Sequence, residues 1–139
     1  MSAKPVDPIA AAIEIFLEIK KKIDEDKEKD NVGSKLRSRA REVGELIEEV
    51  GLVPALSFLY SKRGDKKKDN KDYEYMFEAI WKYLHRLKFV KNANMDNIDE
   101  VIKELDELVG RSYVVLPLLR PFLIEFKRLC EATWEPGRD

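Results

Sequence analysis

The 139-residue chain has one cysteine and one histidine, and its net charge is only −1. A lone Cys130 cannot form an internal disulfide, which is typical of a protein from a reducing compartment. The first residues, MSAKPVDP, lack the pattern of a signal peptide, and prolines and charges interrupt every apolar run before the length of a membrane span. We therefore expect a soluble cytoplasmic protein with no membrane contact. Since charges of both signs nearly balance, only their distribution can indicate a partner.

The residues needed for catalysis are also scarce. One cysteine and one histidine cannot supply a zinc site, and the six glycines are too scattered to form a phosphate-binding loop. A nucleophilic triad would have to use His85, which we interpret as a partly exposed surface residue on a helix. The acidic groups around Glu45 and Glu104 share helix faces with lysines, as solvated ion pairs do. The sequence predicts a protein that is not an enzyme and holds no cofactor or metal.

The chain does contain regular helical patterns. Hydrophobic residues make up 44% and charged residues 38% of it, a charged composition that would suit a thermophile. Apolar residues recur three and four positions apart through most of the chain, and no strand-like alternation persists. These patterns predict an all-α fold, a compact bundle of five to six helices in a single domain over residues 1–139.

Capping residues predict where the first helices begin and end. Asp7 followed by Pro8 should start a helix that reaches about Ile23. Asn31 and Gly33 should end any helix, so that Ser34 caps the second one, which Gly51 terminates. Pro54 then opens a short helix whose sequence, GLVPALSFLYSK, predicts burial on all sides. The first helix should turn inward the residues Ile9, Ala12, Ile13, Phe16, Leu17 and Ile23.

Three further helices follow a polar loop. Asp72 should cap the fourth, which carries seven residues on one face: Tyr73, Met76, Phe77, Ile80, Trp81, Leu84 and Leu87. Asp96 should start the fifth, with five inward residues: Ile98, Val101, Ile102, Leu105 and Val109. The last helix should occupy residues 113–134, where Pro117 and Pro121 should start or kink it because each lacks a backbone donor.

Two basic segments are the strongest indication of a binding partner. The stretch SKLRSRAR contributes cations without any acid; helical spacing puts Arg37 and Arg41 on one flank, Lys35 and Arg39 on the other. The second segment contributes Lys62, Arg63, Lys66, Lys67, Lys68 and Lys71. Because only a short helix separates them, both could lie on one face and bind nucleic-acid phosphates. We predict that the centre of this patch is formed by Arg37, Arg41, Lys62 and Arg63. The alternative is that these charges only keep the protein soluble.

Residues 35–84 resemble the small-subunit family of the type III-B CRISPR effector, the Cmr complex. In that family a helix ends in a Gly-Leu pair, a short apolar helix with the pattern aLaFlysK follows, and a variable polar loop leads to a helix with a Tyr and an hxWL-like segment. The first part is matched by Gly51, Leu52, Ala55, Leu56, Phe58, Leu59, Ser61 and Lys62. The second part is matched by Tyr73, Ile80, Trp81 and Leu84.

The resemblance implies a helical, non-enzymatic subunit of a ribonucleoprotein. Such a subunit stacks with copies of itself in a short filament, contacts other Cmr-type subunits, and lies along guide RNA (crRNA) and target RNA. In this interpretation the short apolar helix fixes the relative position of the two basic segments. A helical adaptor that binds other proteins remains the alternative.

Overall fold

The computed structural model describes residues 5–63 and 70–137. Within them it has six α-helices and no strand, so the predicted all-α fold is confirmed. The helices are α1 (Pro8–Asp24), α2 (Lys29–Val50), α3 (Leu52–Arg63), α4 (Lys71–Arg86), α5 (Ile98–Val109) and α6 (Ser112–Thr133). The core lies where α4 meets α1, α2 and α3, and where α6 meets α1 and α2.

The start of α1 is confirmed, but its inward face is partly wrong. The Asp7 carboxylate accepts hydrogen bonds from the amides of Ile9 and Ala10, as an N-cap should. The buried face consists of Ala11, Ala12, Ile15, Phe16, Ile19 and Ile23. Of the residues predicted to be inward, Ile9, Ile13 and Leu17 are exposed. The helix is rotated toward α4 and α6, which leaves these three on its outer edge.

The second helix begins earlier than predicted, because Gly33 does not end it. The indole of Trp134 lies directly against Gly33, so the missing side chain makes room for a ring from the far end of the chain. Ser34 does not cap the helix either: its hydroxyl donates to the carbonyl of Glu135, 2.8 Å away. Both residues therefore attach the C-terminal segment to α2. Gly51 does terminate α2, with φ at +92°, in the region that favours glycine.

The short helix α3 is buried on one face only, contrary to the prediction of burial all round. The inward residues are Leu52, Ala55, Leu56 and Leu59. Phe58 keeps 38% of its surface exposed and Ser57 faces solvent. Pro54 is in the first turn rather than at the start, where the missing backbone donor costs no helical hydrogen bond.

The predicted face of α4 is confirmed for Met76, Phe77, Ile80, Trp81 and Leu84, all of them buried. Tyr73 and Leu87, predicted on the same face, are only half-buried against the core. The predicted cap is wrong. Asn70 precedes the helix without a side-chain bond, and Asp72 lies within the first turn, where it is buried. His85 is exposed as expected, with its Nδ1 2.9 Å from the carbonyl oxygen of Val90.

The last two helices differ from the prediction in what they expose. Asn97, rather than Asp96, caps α5 by accepting from the Glu100 amide. Ile98, Ile102 and Val109 are exposed because α5 packs mainly against α3 and buries only its opposite edge. Helix α6 continues through both Pro117 and Pro121. Between them, the carbonyl of Leu118 accepts a 2.7 Å hydrogen bond from the Tyr83 hydroxyl of α4.

Candidate nucleic-acid interface

The cations of α2 lie on two flanks, as helical spacing predicted. One flank faces α6, where Arg37 approaches Glu131. The other flank faces α4, where Arg39 bonds to Asp72. Arg41 follows Arg37 by four positions and Lys35 precedes Arg39 by four, so each pair shares a flank. The structure therefore separates Arg37 and Arg41 from Lys35 and Arg39 by the width of the helix.

Arg37 joins α2 to α6 instead of facing solvent. Its Nη2 lies 3.9 Å from the Glu131 carboxylate, and its side chain is 13% exposed. Its Nε and Nη1 are buried and have no hydrogen-bond partner within the part of the chain that the structure describes. A guanidinium held in this position contributes to helix packing, and it cannot reach a phosphate without leaving its site.

Arg39 is fixed from several sides. Its Nε donates to Asp72 over 3.3 Å and its Nη1 to Glu42 over 2.7 Å. The guanidinium carbon lies 4.0 Å from the centroid of the Tyr73 ring, in the geometry of a cation–π contact. Arg39 thus connects α2 to the first turn of α4, and its side chain remains 20% exposed.

A series of ring contacts continues from Arg39 to the end of α3. The Tyr73 ring meets the edge of Phe58 with 5.8 Å between centroids. The Nζ of Lys62 lies 5.6 Å from the centroid of Phe58. We call the series Arg39, Tyr73, Phe58 and Lys62 the cation–aromatic ladder. It brings the two basic segments together, as predicted, although through Arg39 and not through Arg37 or Arg41.

The ladder's aromatic members were missed in the sequence. Tyr73 and Phe58 both fall in apolar stretches, and their spacing predicts core residues. The signal that could have found Phe58 is its position four residues before Lys62, which puts a cation beside the ring on one helix. Tyr75, which is outside the predicted core face of α4, is half-buried, and that burial raises the pKa of its hydroxyl.

Arg63 points away from the predicted patch. Its Nη2 donates to the Tyr60 hydroxyl over 2.6 Å and to the carbonyl of Met95 over 3.0 Å, while its guanidinium stacks 4.0 Å from the Tyr60 centroid. The Tyr60 hydroxyl donates to the same Met95 carbonyl. Arg63 therefore holds the segment between α4 and α5 against α3. The prediction that Arg63 and Arg37 form the centre of one patch with Arg41 and Lys62 does not agree with these positions.

The remaining predicted residues differ in accessibility. Arg41 and Lys62 are exposed, and Lys35 is half-buried at the edge of α2. Lys66, Lys67 and Lys68 lie outside the described residues. After that gap, Lys71 bonds to Asp26 in the segment between α1 and α2. This hydrogen bond, together with one from the Glu28 amide, lowers the pKa of Asp26.

Acidic residues limit the basic surface toward the end of α2. A groove of about 260 Å³ between α2 and α3 begins at Arg39 and Phe58 and is bordered by Glu42, Glu45 and Glu49. Phosphates would be repelled there, since three carboxylates outnumber one guanidinium that is already paired. The surface suited to an anionic strand is therefore the first half of α2 with the ladder and the end of α3.

Other kinds of site were sought over the same residues. Across 5–63 and 70–137, no group of three or more His, Cys, Asp or Glu side chains could hold a metal ion. Among the helices of those ranges, none combines the length and apolar character that crossing a membrane requires.

Comparison with known proteins finds a family match and a chain of similar fold. The model of a family described as CRISPR-associated protein (Cas_Cmr5) matches residues 13–116. One solved chain, from a structure described as the cryo-EM structure of the type III-B Cmr-beta complex bound to non-cognate target RNA, is similar with a TM-score of 0.74 and 21% sequence identity. The match covers 96% of this chain and 100% of that one. At this identity the likeness shows a common fold. No curated protein sequence matches significantly.

Proposed function

The chain belongs to the CRISPR-associated Cas_Cmr5 family, and on that basis we propose that it is a non-catalytic, RNA-binding small subunit of a type III CRISPR effector. The resemblance of residues 35–84 to the Cmr small subunits is confirmed by the family match. Its proposed partners are guide RNA, target RNA, other Cmr-type subunits and neighbouring copies in a short filament. The chain of similar fold comes from a complex that is itself bound to target RNA, which supports this assignment.

The cation–aromatic ladder is the observation that carries the proposal. A lysine or arginine that binds a phosphate loses side-chain entropy, roughly 2 kcal/mol when the side chain is free. Arg39 and Lys62 are already oriented over rings, so they should lose less side-chain entropy when they bind a phosphate. The half-exposed Phe58 also offers a ring against which a base could stack.

The proposed RNA-contacting residues are Lys35, Arg39 and Lys62, which lie on the ladder side of α2 and α3. Lys66 and Lys67 follow α3 in the sequence and remain part of the proposal. Arg37 and Arg63 are assigned to packing, because both have buried guanidinium nitrogens, whereas the side chain of Arg39 is paired but remains 20% exposed. Arg41 lies on the α6 flank, away from the ladder. A surface of two or three phosphate contacts binds weakly alone, and several copies along one RNA would supply the affinity through avidity.

Salt-dependent RNA binding tests the proposal. We would measure the affinity of the purified protein for single-stranded RNA by fluorescence anisotropy at several salt concentrations. The double variant Lys35→Glu/Lys62→Glu should weaken binding and reduce the slope of log affinity against log salt by about 0.7 for each lost phosphate contact. The matched control is Lys21→Glu/Lys103→Glu, which changes the net charge equally at exposed positions on α1 and α5.

Two outcomes would contradict the proposal. If the control weakens binding as much as the test variant, the effect comes from net charge and the ladder is not the RNA surface. If the folded wild-type protein shows no salt-sensitive RNA binding, alone or in its complex, the alternative of a helical protein–protein adaptor is favoured. Circular dichroism of every variant verifies that folding survives.

A further inference from the structure

An apolar groove lies on the opposite flank of α2 from the ladder. It has a volume of about 570 Å³ and runs between the second half of α2 and the first half of α6. Ile47, Leu116, Leu119 and Leu123 form its apolar floor. An exposed groove of this size and polarity is the kind of surface that a partner covers.

The groove has a charge of opposite sign at each end. The two helices are antiparallel, since Arg37 meets Glu131 near one end and Glu48 meets Arg120 near the other. The second end is acidic: Glu45, Glu48 and Glu49 line it against Arg120 alone. The end near Arg37 and Glu131 is basic. Arg41 is exposed there, one helical turn before Glu45, and Arg128 is exposed one turn after Ile124. In residues 5–63 and 70–137, neither of these arginines has an ion-pair partner, and the same is true of Glu45 and Glu49.

The middle of the groove combines a gap and a projection. Gly44 lies midway between Arg41 and Glu48 on α2, and no atom lies within 4 Å of the position that a side-chain methyl group would occupy there. Ile124 lies midway between Arg120 and Arg128 on α6 and is 47% exposed. An apolar side chain therefore projects on one wall, and the other wall is bare backbone at the same level.

We propose that a second copy of this chain covers the groove in a two-fold symmetric pair. A two-fold axis through the middle of the groove would put the acidic end of each copy on the basic end of the other. That axis crosses the groove from wall to wall, so the same rotation lays each helix antiparallel on its counterpart, with Ile124 against Ile124 of the partner and Gly44 against its Gly44. An isologous contact requires a self-complementary patch, and the charge order along α2, with Arg41 on one side of Gly44 and Glu45, Glu48 and Glu49 on the other, has that property. The glycine also allows the two helices to approach closely.

Such a pair is closed and uses neither the ladder nor the end of α3. It cannot propagate a filament, because an isologous contact is satisfied at two copies. The pairing therefore describes the protein free in solution, and it stands independently of the proposed RNA surface.

The first experiment removes the central apolar contact. Sedimentation velocity over a concentration series reaching the millimolar range should show the wild type in monomer–dimer equilibrium. Ile124→Asp should weaken dimerisation by at least about tenfold, since pairing would bury a carboxylate without a partner. The matched control is Ile102→Asp on α5, another exposed isoleucine away from the groove, which should leave the equilibrium unchanged.

The second experiment exchanges the charges. Glu45→Arg/Glu49→Arg makes both ends basic, and Arg41→Glu/Arg128→Glu makes both ends acidic. Each variant alone should be monomeric because its like ends repel. An equimolar mixture should form a one-to-one heterodimer that weakens as salt is added. All four positions are exposed, and circular dichroism verifies that each variant is folded.

Three results would overturn the pairing. The first is a wild type that remains monomeric throughout the series, and the second is a mixture that forms no heterodimer. The third is a dimer that Ile102→Asp weakens while Ile124→Asp leaves it no weaker than that control does. The last result would place the contact on α5. Lys35 and Lys62 are unchanged in all these variants, so the RNA measurement remains a separate test. A failure of one proposal leaves the other intact.

Discussion

The ring of Trp134 occupies the space that a side chain at Gly33 would need. Gly33 is in the second turn of α2, and Trp134 directly follows α6, about a hundred residues later in the chain. The other side of the indole meets Phe16 of α1, with 5.5 Å between ring centroids. One glycine therefore allows the C-terminal segment to close the core at the junction of three helices.

Replacing Gly33 with alanine should destabilise the fold. The new methyl group would overlap the Trp134 ring, and overpacking of this kind costs about 1–3 kcal/mol, more than the helix gains from losing a glycine. Gly44→Ala is the matched control, because its methyl group meets open space, and it should add about 0.5–1 kcal/mol at concentrations where the chain is monomeric. Urea unfolding of both variants measures the difference. Equal free energies of unfolding for the two would show that the indole is not tightly held.

Arg63 should matter for stability more than its neighbour. Arg63→Ala removes two hydrogen bonds and a ring contact and leaves the Met95 carbonyl with fewer donors, so the free energy of unfolding should fall by about 1–3 kcal/mol. Lys62→Ala, one position away and exposed, should change it by no more than about 0.5 kcal/mol. Thermal or urea unfolding would distinguish them. Equal effects would mean that the segment between α4 and α5 does not depend on Arg63.

Lys82 should make the fold sensitive to alkaline pH. Partial burial opposes its charge, but the hydrogen bond to Glu18 and the charge of Glu78 outweigh that effect and raise the pKa of Lys82 above its ordinary 10.5. A raised pKa means that the contribution to stability is complete below pH 10.5 and is lost as pH rises through the folded-state value.

The effect should be modest, below about 1 kcal/mol, because water screens a partly exposed group. We expect the unfolding free energy of the wild type to fall more steeply above pH 10.5 than that of Lys82→Met. Lys20→Met, which removes an exposed pair with Asp24, is the control and should keep the wild-type slope. Parallel curves for the wild type and Lys82→Met would contradict the assignment.

Cys130 should be unreactive until the protein unfolds. Its side chain is buried, and burial, reinforced by the negative charge of Glu131, raises the pKa of its thiol. Because the thiolate is the reactive form, a thiol reagent should label the folded protein only through unfolding. A cysteine introduced at the exposed Ser57, with Cys130→Ala, should react at once. Rapid labelling of the wild type in the absence of denaturant would show that the end of α6 opens locally.

The sequence predicted features that depend on neighbouring residues and missed those that depend on distant ones. Asp7 caps α1 because its carboxylate reaches the amides that follow it, which needs only local geometry. Gly33 was expected to break a helix, as an isolated glycine often does, and it remains helical because Trp134 packs against it. No pattern near Gly33 contains that information.

At the candidate interface, too, the sequence did not predict the contacts between residues that are distant in the chain. Helical spacing correctly separated Arg37 and Arg41 from Lys35 and Arg39. It could not determine which flank faces α3 and α4, because that depends on how α2 packs. The ladder needs Tyr73 from α4 and Phe58 from α3 to meet between two cations. Likewise, Ile102 looks like a core residue in the sequence, and it is exposed because α5 has few neighbours.

The two prolines inside α6 have a consequence for the order of folding. Pro117 and Pro121 provide no amide hydrogen, so the first half of α6 lacks two of the backbone hydrogen bonds that would help it to form alone. The Tyr83 hydroxyl holds Leu118 in that same stretch, and it can do so only after α4 is in position. We therefore expect residues 112–121 to be a late-folding segment. Their amide protons should exchange with deuterium sooner than those near Phe126.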